Sequence, residues 1–203
     1  MHVFLDSMKS YHIIDHIKSR VNLTDAEVAI INAKLIHRKY LKGQYIGQER
    51  DVSKYQTYIV SGKVRTFYLD DNGQEHIVAF GFGDWWVGDI ASFTTQTAAE
   101  LNIQCITDTE VVQISYPDMQ QLYHDVPTLE RYFRIITQAA YGSMSKRIIR
   151  NNSLSAKERY VLLTQSEPNI TQLVPQYMVA SYLGITKEFL SNIKKQLQSE
   201  SKS

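Results

Sequence analysis

Cysteine is all but absent from this sequence. The single copy, Cys105, excludes an internal disulfide and any four-cysteine zinc or iron–sulfur site. Long hydrophobic runs are absent too. None approaches the roughly 18 apolar residues that a membrane-crossing helix needs. The opening stretch, Met1 to Lys9, has Asp6 inside its apolar part and no cleavage-site pattern, so no secretory signal is expected and the reading is cytoplasmic. Catalytic motifs are missing as well. There is no nucleophile elbow, no phosphate-cradling Gly-Lys-Ser/Thr loop, no His-rich motif of a cupin enzyme and no haem-ligand signature. The expectation is a non-enzyme without a cofactor.

Net charge is nearly absent, at +1, but its distribution is uneven. Residues 1–145 hold 13 Lys and Arg against 17 Asp and Glu, a net of −4, whereas residues 146–203 hold 9 against 4, a net of +5. A basic C-terminal module on an acidic body suits a protein whose C-terminus meets nucleic acid.

The basic end carries the most specific pattern in the chain. From Gln176 to Lys195 it reads as a helix-turn-helix. Val179, Leu183, Ile185, Leu190 and Ile193 are the apolar positions that lock two short helices together, and Ala180 is small where they approach. Gly184 stands at the corner, where a left-handed backbone suits glycine. Thr186 can cap the second helix, which then presents Lys187, Glu188, Ser191, Asn192, Lys194 and Lys195 outward, side chains that suit base edges and phosphates in a major groove. An ordinary helical hairpin with a solvated face has the same periodicity, but not the Ala, the Gly and five apolar positions in one register.

Upstream, three further sections are legible. Thr24-Asp-Ala-Glu27 is a capping box before a helix with Val28, Ile31 and Leu35 on one face. Residues 38–116 read as short strands punctuated by glycine turns. Thr57–Val60, Val64–Leu69 and His76–Phe80 are runs of β-formers, and Asn72-Gly73 between the last two is a hairpin signal. Many strands at this spacing predict a sandwich or barrel. Pro127 then opens a long helix running to about Asn151, with Leu129, Phe133, Ile136, Ala140, Met144 and Ile148 recurring every three or four residues. That stripe can pack on its own sheet or pair with its copy in a homodimer, and its length favours the copy. A second capping box, Ser155-Ala-Lys-Glu158, starts a helix that ends before Pro168, and the tail from Gln198 to Ser203 is expected to fray.

This order of helices, strands, long helix and helix-turn-helix resembles the Crp/Fnr superfamily, the catabolite-activator-like bacterial transcription regulators. The segments that carry the resemblance are Tyr58-Ile-Val-Ser-Gly-Lys-Val-Arg65, Gly83-Asp-Trp-Trp-Val-Gly-Asp89 and Ala180-Ser-Tyr-Leu-Gly-Ile-Thr186. The paired tryptophans and the Ser-Tyr-Leu-Gly-Ile corner look like the Bacteroidetes-type branch. The resemblance implies an α+β chain in three parts. Residues 1–126 would form a double-stranded β-helix sensor (a cyclic-nucleotide-binding-like, cupin-like jelly roll) with N-terminal helices. Residues 127–151 would form a dimerisation helix, and residues 152–203 a helix-turn-helix domain. It implies double-stranded DNA, a second copy of the chain, RNA polymerase and a small-molecule effector as partners, with Thr186, Lys187, Glu188, Ser191, Asn192, Lys194 and Lys195 on the DNA.

Two departures bear on function. Family members continue past the recognition helix into a β-hairpin wing, whereas this sequence stops soon after Leu197, which leaves the wing's contacts to the DNA backbone out of the reading. In cyclic-nucleotide binders a Gly-Glu-Leu segment meets the ribose, and an Arg-Ser pair holds the phosphate. Here the matching effector-pocket positions are Gly88, Asp89 and Ile90, then Ala99 and Glu100. No Lys or Arg occurs between Arg65 and Arg131, while residues 66–130 hold eleven acids. A bound phosphate lacks its guanidinium partner in any register, so cAMP is not expected as the effector.

Among other candidates, His12 and His16 share a helix face at a metal-compatible spacing, but with no acidic or cysteine partner beside them they read as surface residues. Phe82, Trp85 and Trp86 read as core beneath the roll, with an apolar ligand pocket as the alternative. The competing function is a small-molecule-binding signalling module acting through protein contacts. A cupin-type metalloenzyme is a third reading, which would require bound metal.

Overall fold

The computed structural model describes residues 12–200. The Met1–Lys9 stretch and the last three residues of the tail lie outside the described residues. The chain forms two compact units, residues 1–68 with 79–139 and residues 69–78 with 140–203.

In the first unit, residues 12–18 form helix α1, followed by α2 (Asp25–Asn32). The capping box is made as expected: the Thr24 hydroxyl accepts from the Glu27 amide at 3.2 Å, and the Glu27 carboxylate accepts from the Thr24 amide at 2.7 Å. Eight strands follow: β1 (Ile36–Tyr40), β2 (Tyr45–Gly47), β3 (Tyr55–Ser61), β4 (Val64–Leu69), β5 (Glu75–Gly81), β6 (Trp86–Val87), β7 (Asn102–Cys105) and β8 (Thr109–Ser115). Helix α3 (Ile90–Thr95) interrupts them, and α4 (Tyr116–Asp125) leads into α5 (Pro127–Ser153). The strands make two four-stranded sheets, ordered β1-β8-β3-β6 and β2-β7-β4-β5. This is the expected jelly roll. The connections that cross between sheets are what turn a row of hairpins into two facing layers.

Two cores hold this unit. Ile59, Val64, Ile103 and Cys105 form one, with Tyr40, Ile46 and Val87 packed against it. A Cβ on Gly81 would lie 2.7–2.9 Å from Val87, Val64 and Ile59, so only glycine lets β5 approach there. Burial pushes the Cys105 thiol pKa up and leaves it inert. The second core joins Tyr58, Val112 and Ile114 of the first sheet to Ile13, Ile17, Ile31, Met119, Leu122, Leu129 and Tyr132 of the surrounding helices. Each such side chain contributes about 1.5–3 kcal/mol of burial.

A hydrogen-bonded chain runs through this second core. Trp86 Nε1 donates to the Tyr132 hydroxyl at 2.7 Å, and that hydroxyl lies 2.6 Å from His16 Nδ1. With the indole proton committed, the Tyr132 proton goes to a neutral imidazole. His16 is therefore half-buried and paired, not a surface residue, whereas His12 is exposed. Trp85 also departs from expectation. It is 47 % exposed, and only Trp86 packs on the core. Trp85 lies just before β6, where its ring meets that of Phe82 edge-on at 5.9 Å.

The long helix divides. Leu129 and Tyr132 are fully buried, and Phe133 and Ile136 pack on the unit's own core. Tyr141, Met144, Ile148 and Ile149 are 74 %, 60 %, 59 % and 63 % exposed. The self-packing reading holds for the first half of the stripe alone.

The second unit contains α6 (Ala156–Ser166), α7 (Ile170–Leu173), α8 (Gln176–Leu183) and α9 (Lys187–Glu200). Ser155 and Glu158 form the second capping box. Gln198 to Glu200 continue α9 instead of fraying, and Glu200 pairs with Lys157 at 2.6 Å.

Burial lowers the His16 pKa, with Arg20 acting in the same direction and Asp84 opposing. The unfolded chain binds that proton more readily, so this contribution to stability is present above the unfolded pKa of about 6.5 and is lost as pH falls below it. Urea unfolding at pH 7.5 and 5.5 should show a loss in the wild type that shrinks in His16→Gln. Equal losses would place the titration elsewhere.

Candidate nucleic-acid interface and effector pocket

The helix-turn-helix forms where the sequence predicts it. Gly184 takes φ +68°, a left-handed corner that ends α8 with its amide on the Ser181 and Ala180 carbonyls. Thr186 then caps α9, its hydroxyl accepting from the Phe189 amide at 3.1 Å. Val179 and Leu190 are fully buried, and Ala180, Leu183 and Ile193 nearly so, while Ile185 is half-buried. These contacts fix the angle between the helices, and with it the face α9 offers.

That face is narrower than expected. Thr186, Lys187, Glu188, Asn192 and Lys195 are exposed, but Ser191 and Lys194 are half-buried. The Ser191 hydroxyl donates to the Lys187 carbonyl at 3.0 Å. Lys194 lines a small cleft with Tyr160, Leu197 and Gln198. At 3.6 residues per turn, position 194 falls beside the row of buried Leu190 and half-buried Leu197, which turns it from the outward face. Phe189 was missed. It stands in the first turn of α9, half exposed. Its signal in the sequence is an aromatic residue outside the apolar positions that lock the motif.

The unit is braced by polar contacts that periodicity does not reveal. Arg159 reaches from α6 to the carbonyls of Asn151 and Leu183 at 2.9 and 3.1 Å, closing the C-terminal end of α8. The hairpin tip between β4 and β5 belongs to this unit. The Ser181 hydroxyl accepts from the Ile77 amide at 3.0 Å and donates to the Glu75 carbonyl at 3.3 Å. Arg147 donates to the Val78 carbonyl and stacks on Tyr182 at 4.4 Å. Side chains thus occupy backbone groups that an edge strand leaves open. The tip is itself held by Asp70, which accepts from the Asn72 and Gln74 amides, both at 2.9 Å, and lies 2.9 Å from His76 Nε2. That His76 contact, with the amides, lowers the Asp70 pKa.

The expected effector positions meet in the first unit. Asp89 is the N-cap of α3 and is 5 % exposed. One carboxylate oxygen accepts from the Ser92 amide at 3.0 Å, and the other accepts from the Glu100 and Leu101 amides at 3.0 and 3.3 Å. The carboxylate therefore occupies backbone donors that an incoming anion would need. Ala99 is buried, Gly88 half-buried, and Ile90 and Glu100 point to solvent. The nearest cation upstream, Arg65, is also engaged, its Nε and Nη2 donating to Gln104 at 2.9 and 2.7 Å and its guanidinium stacked on Phe67 at 4.2 Å. A surface groove of about 460 Å³ is lined by Arg38, Lys39, Tyr40, Gln44, Tyr45 and Gln48, and by none of the five expected positions. Among the described residues, no group of three or more His, Cys, Asp or Glu is placed to hold a metal, and no helix is long and apolar enough to cross a membrane.

Known proteins share this arrangement. Residues 37–125 match the cyclic nucleotide-binding domain family. The chain is 27 % identical over 162 residues to the CRP-like protein Clp of Xanthomonas euvesicatoria pv. vesicatoria (strain 85-10), covering 70 % of this chain and 69 % of that protein. In structure it is similar to the c-di-GMP-responsive global regulator CLP of Xanthomonas campestris, with a TM-score of 0.71 at 19 % identity, over 88 % of this chain and 93 % of that one. It is also similar to FixK2 of Bradyrhizobium japonicum, with a TM-score of 0.68 at 18 % identity, over 82 % and 86 %.

Within the matched domain, Asp89→Ala should leave three amides without their acceptor. We expect a loss of about 3 kcal/mol in urea unfolding, and a smaller one for Asp89→Asn, which keeps an acceptor oxygen. An Asp89→Ala protein as stable as the wild type would mean that these amides find other partners.

Proposed function

We propose that the chain is a regulator of the Crp/Fnr superfamily, a homodimeric, sequence-specific DNA-binding transcription regulator whose effector is not a cyclic nucleotide. The observation that carries this reading is the first turn of α9. Lys187 and Glu188 stand exposed at a helix N-terminus, with Asn192 and Lys195 on the following turns, while Leu190 and Ile193 are buried behind them. Recognition helices enter the major groove by this end. Glu188 can accept from a cytosine amine, Asn192 can pair with adenine, and Lys195 suits a phosphate. RNA polymerase is the further partner this reading implies.

Dimerisation is assigned to the helix of residues 127–151, and within it to the exposed row of Tyr141, Met144 and Ile148. These follow at i, i+3 and i+7, the spacing of a coiled-coil seam. Two copies would read half-sites about one helical turn, roughly 34 Å, apart. Phe133 and Ile136 pack against the core of the first unit and are not part of this row. A Met144→Glu/Ile148→Glu protein should run as a folded monomer in light scattering where the wild type is a dimer, and should lose affinity for DNA. Wild type running as a monomer at micromolar concentration would overturn the assignment.

Binding to duplexes selected from a randomised pool tests the DNA reading. Lys195→Ala should weaken binding to all sequences alike and lower the salt slope by about 1. A loss confined to one base position would assign Lys195 to base readout instead.

The effector reading rests on charge. A unit pair at about 4 Å is worth roughly 4 kcal/mol at an effective dielectric of 20. Here the Arg-Ser position is Ala99-Glu100, and Asp89 holds the Glu100 and Leu101 amides. The same objection applies to the effector of the Xanthomonas campestris regulator, because c-di-GMP carries two phosphates. A neutral, apolar or cationic ligand fits this charge pattern, as does DNA binding without a ligand. Titration calorimetry with cAMP and cGMP should give no saturable heat at physiological salt. Micromolar binding of either would sink the effector reading.

A further inference from the structure

Phe189 is out of place for an ordinary helix. Three consecutive side chains in the first turn of α9, Lys187, Glu188 and Phe189, are exposed, and the apolar requirement of the motif is already met by Leu190 and Ile193. Among the described phenylalanines, Phe189 is the one with half its surface in solvent. Its backbone is fixed, because its amide is the donor to the Thr186 cap. The side chain therefore leaves a rigid helix start at a set angle, instead of hanging from a loop.

Its neighbours define a stripe. Phe189, Asn192 and Gln196 stand at i, i+3 and i+7 on α9, and all three are exposed. Side chains at i and i+3 are about 5–6 Å apart at Cβ. An A·T pair presents two distinguishing features in the major groove, the N6/N7 edge of adenine and the C5-methyl of thymine. Asparagine matches the first by paired hydrogen bonds, and an apolar side chain matches the second by contact. Neither a phosphate nor a cytosine amine gains from a phenyl ring.

We propose that Phe189 is a specificity-determining residue that packs on a thymine C5-methyl, so that Phe189 and Asn192 together read A·T pairs in each half-site. This rests on the DNA-binding reading above and adds to it the base that the stripe selects. Glu188 and Lys195 lie on the adjacent stripe and keep their separate roles. Phe189 acts by apolar contact, so its contribution is insensitive to salt, unlike that of Lys195.

Full-length protein and duplexes enriched from a randomised pool test the proposal. In the enriched site, each thymine is replaced by deoxyuridine symmetrically in both half-sites, which removes only the methyl. One thymine pair should lose about fourfold in affinity per half-site, the worth of one buried methyl group, and on the order of fifteenfold in all. Phe189→Ala should bind the thymine and deoxyuridine duplexes equally. Phe189→Leu, which keeps an apolar surface and the fold, should retain part of the preference. An enriched site with no methyl-sensitive thymine, or a Phe189→Ala protein that keeps the full sensitivity, overturns the role of Phe189 and leaves the DNA-binding reading standing. A pool from which the wild type enriches no sequence overturns both.

Discussion

The hydroxyl of Tyr132 is the interaction on which the first unit depends. It is wholly buried, and it joins three elements far apart in sequence: β6 through Trp86, α1 through His16 and α5 through its own backbone. A buried hydroxyl without partners costs on the order of a few kcal/mol, so Trp86 and His16 are held wherever Tyr132 goes. Trp86 in turn packs on Phe133 at 4.9 Å and on Tyr58 at 5.4 Å, which settles how the start of α5 lies on the roll. Once that half of the helix is committed inward, the same periodicity leaves Tyr141, Met144 and Ile148 uncovered.

The candidate effector site shows a related economy. Carboxylates are expensive to bury, and Asp89 is buried with its oxygens accepting from three backbone amides. This cluster of three backbone amides is thus closed by a side chain of the chain itself. The charge of this region and the geometry of Asp89 act in the same direction, since the first withholds a guanidinium and the second takes up the donors. A pocket built to receive a phosphate would need both arranged the other way.

In the second unit, rigidity comes from polar bracing around a small apolar lock. Arg159 closes the end of α8, Ser181 and Arg147 occupy the exposed edge of β5, and Lys157 reaches Glu200 near the end of α9. None of these pairs lies at a spacing that repeats along a helix or strand. Their effect is to hold the first turn of α9, where Lys187, Glu188 and Phe189 emerge, as a fixed surface.

Much of this was legible in the residues themselves. Both capping boxes, the Asn72-Gly73 hairpin, the left-handed corner at Gly184 and the Thr186 cap formed as expected, because each is decided by neighbours within a few positions and by backbone sterics. The deficit of cations between Arg65 and Arg131 was equally plain, since charge is counted without knowing the fold. What only the tertiary structure decided was which of several permitted partners a side chain meets. His16 became a half-buried acceptor, not a surface residue. Trp85 turned outward while Trp86 turned in, Lys194 swung beside Tyr160, and the apolar stripe of α5 split between a core and an open face. Short α3 and α7 carried too little periodicity to announce themselves. Local sequence selects conformations through interactions of short range, whereas burial is a property of the whole packed chain, and it assigns the same apolar or polar pattern to core, interface or solvent according to what arrives from far away in sequence.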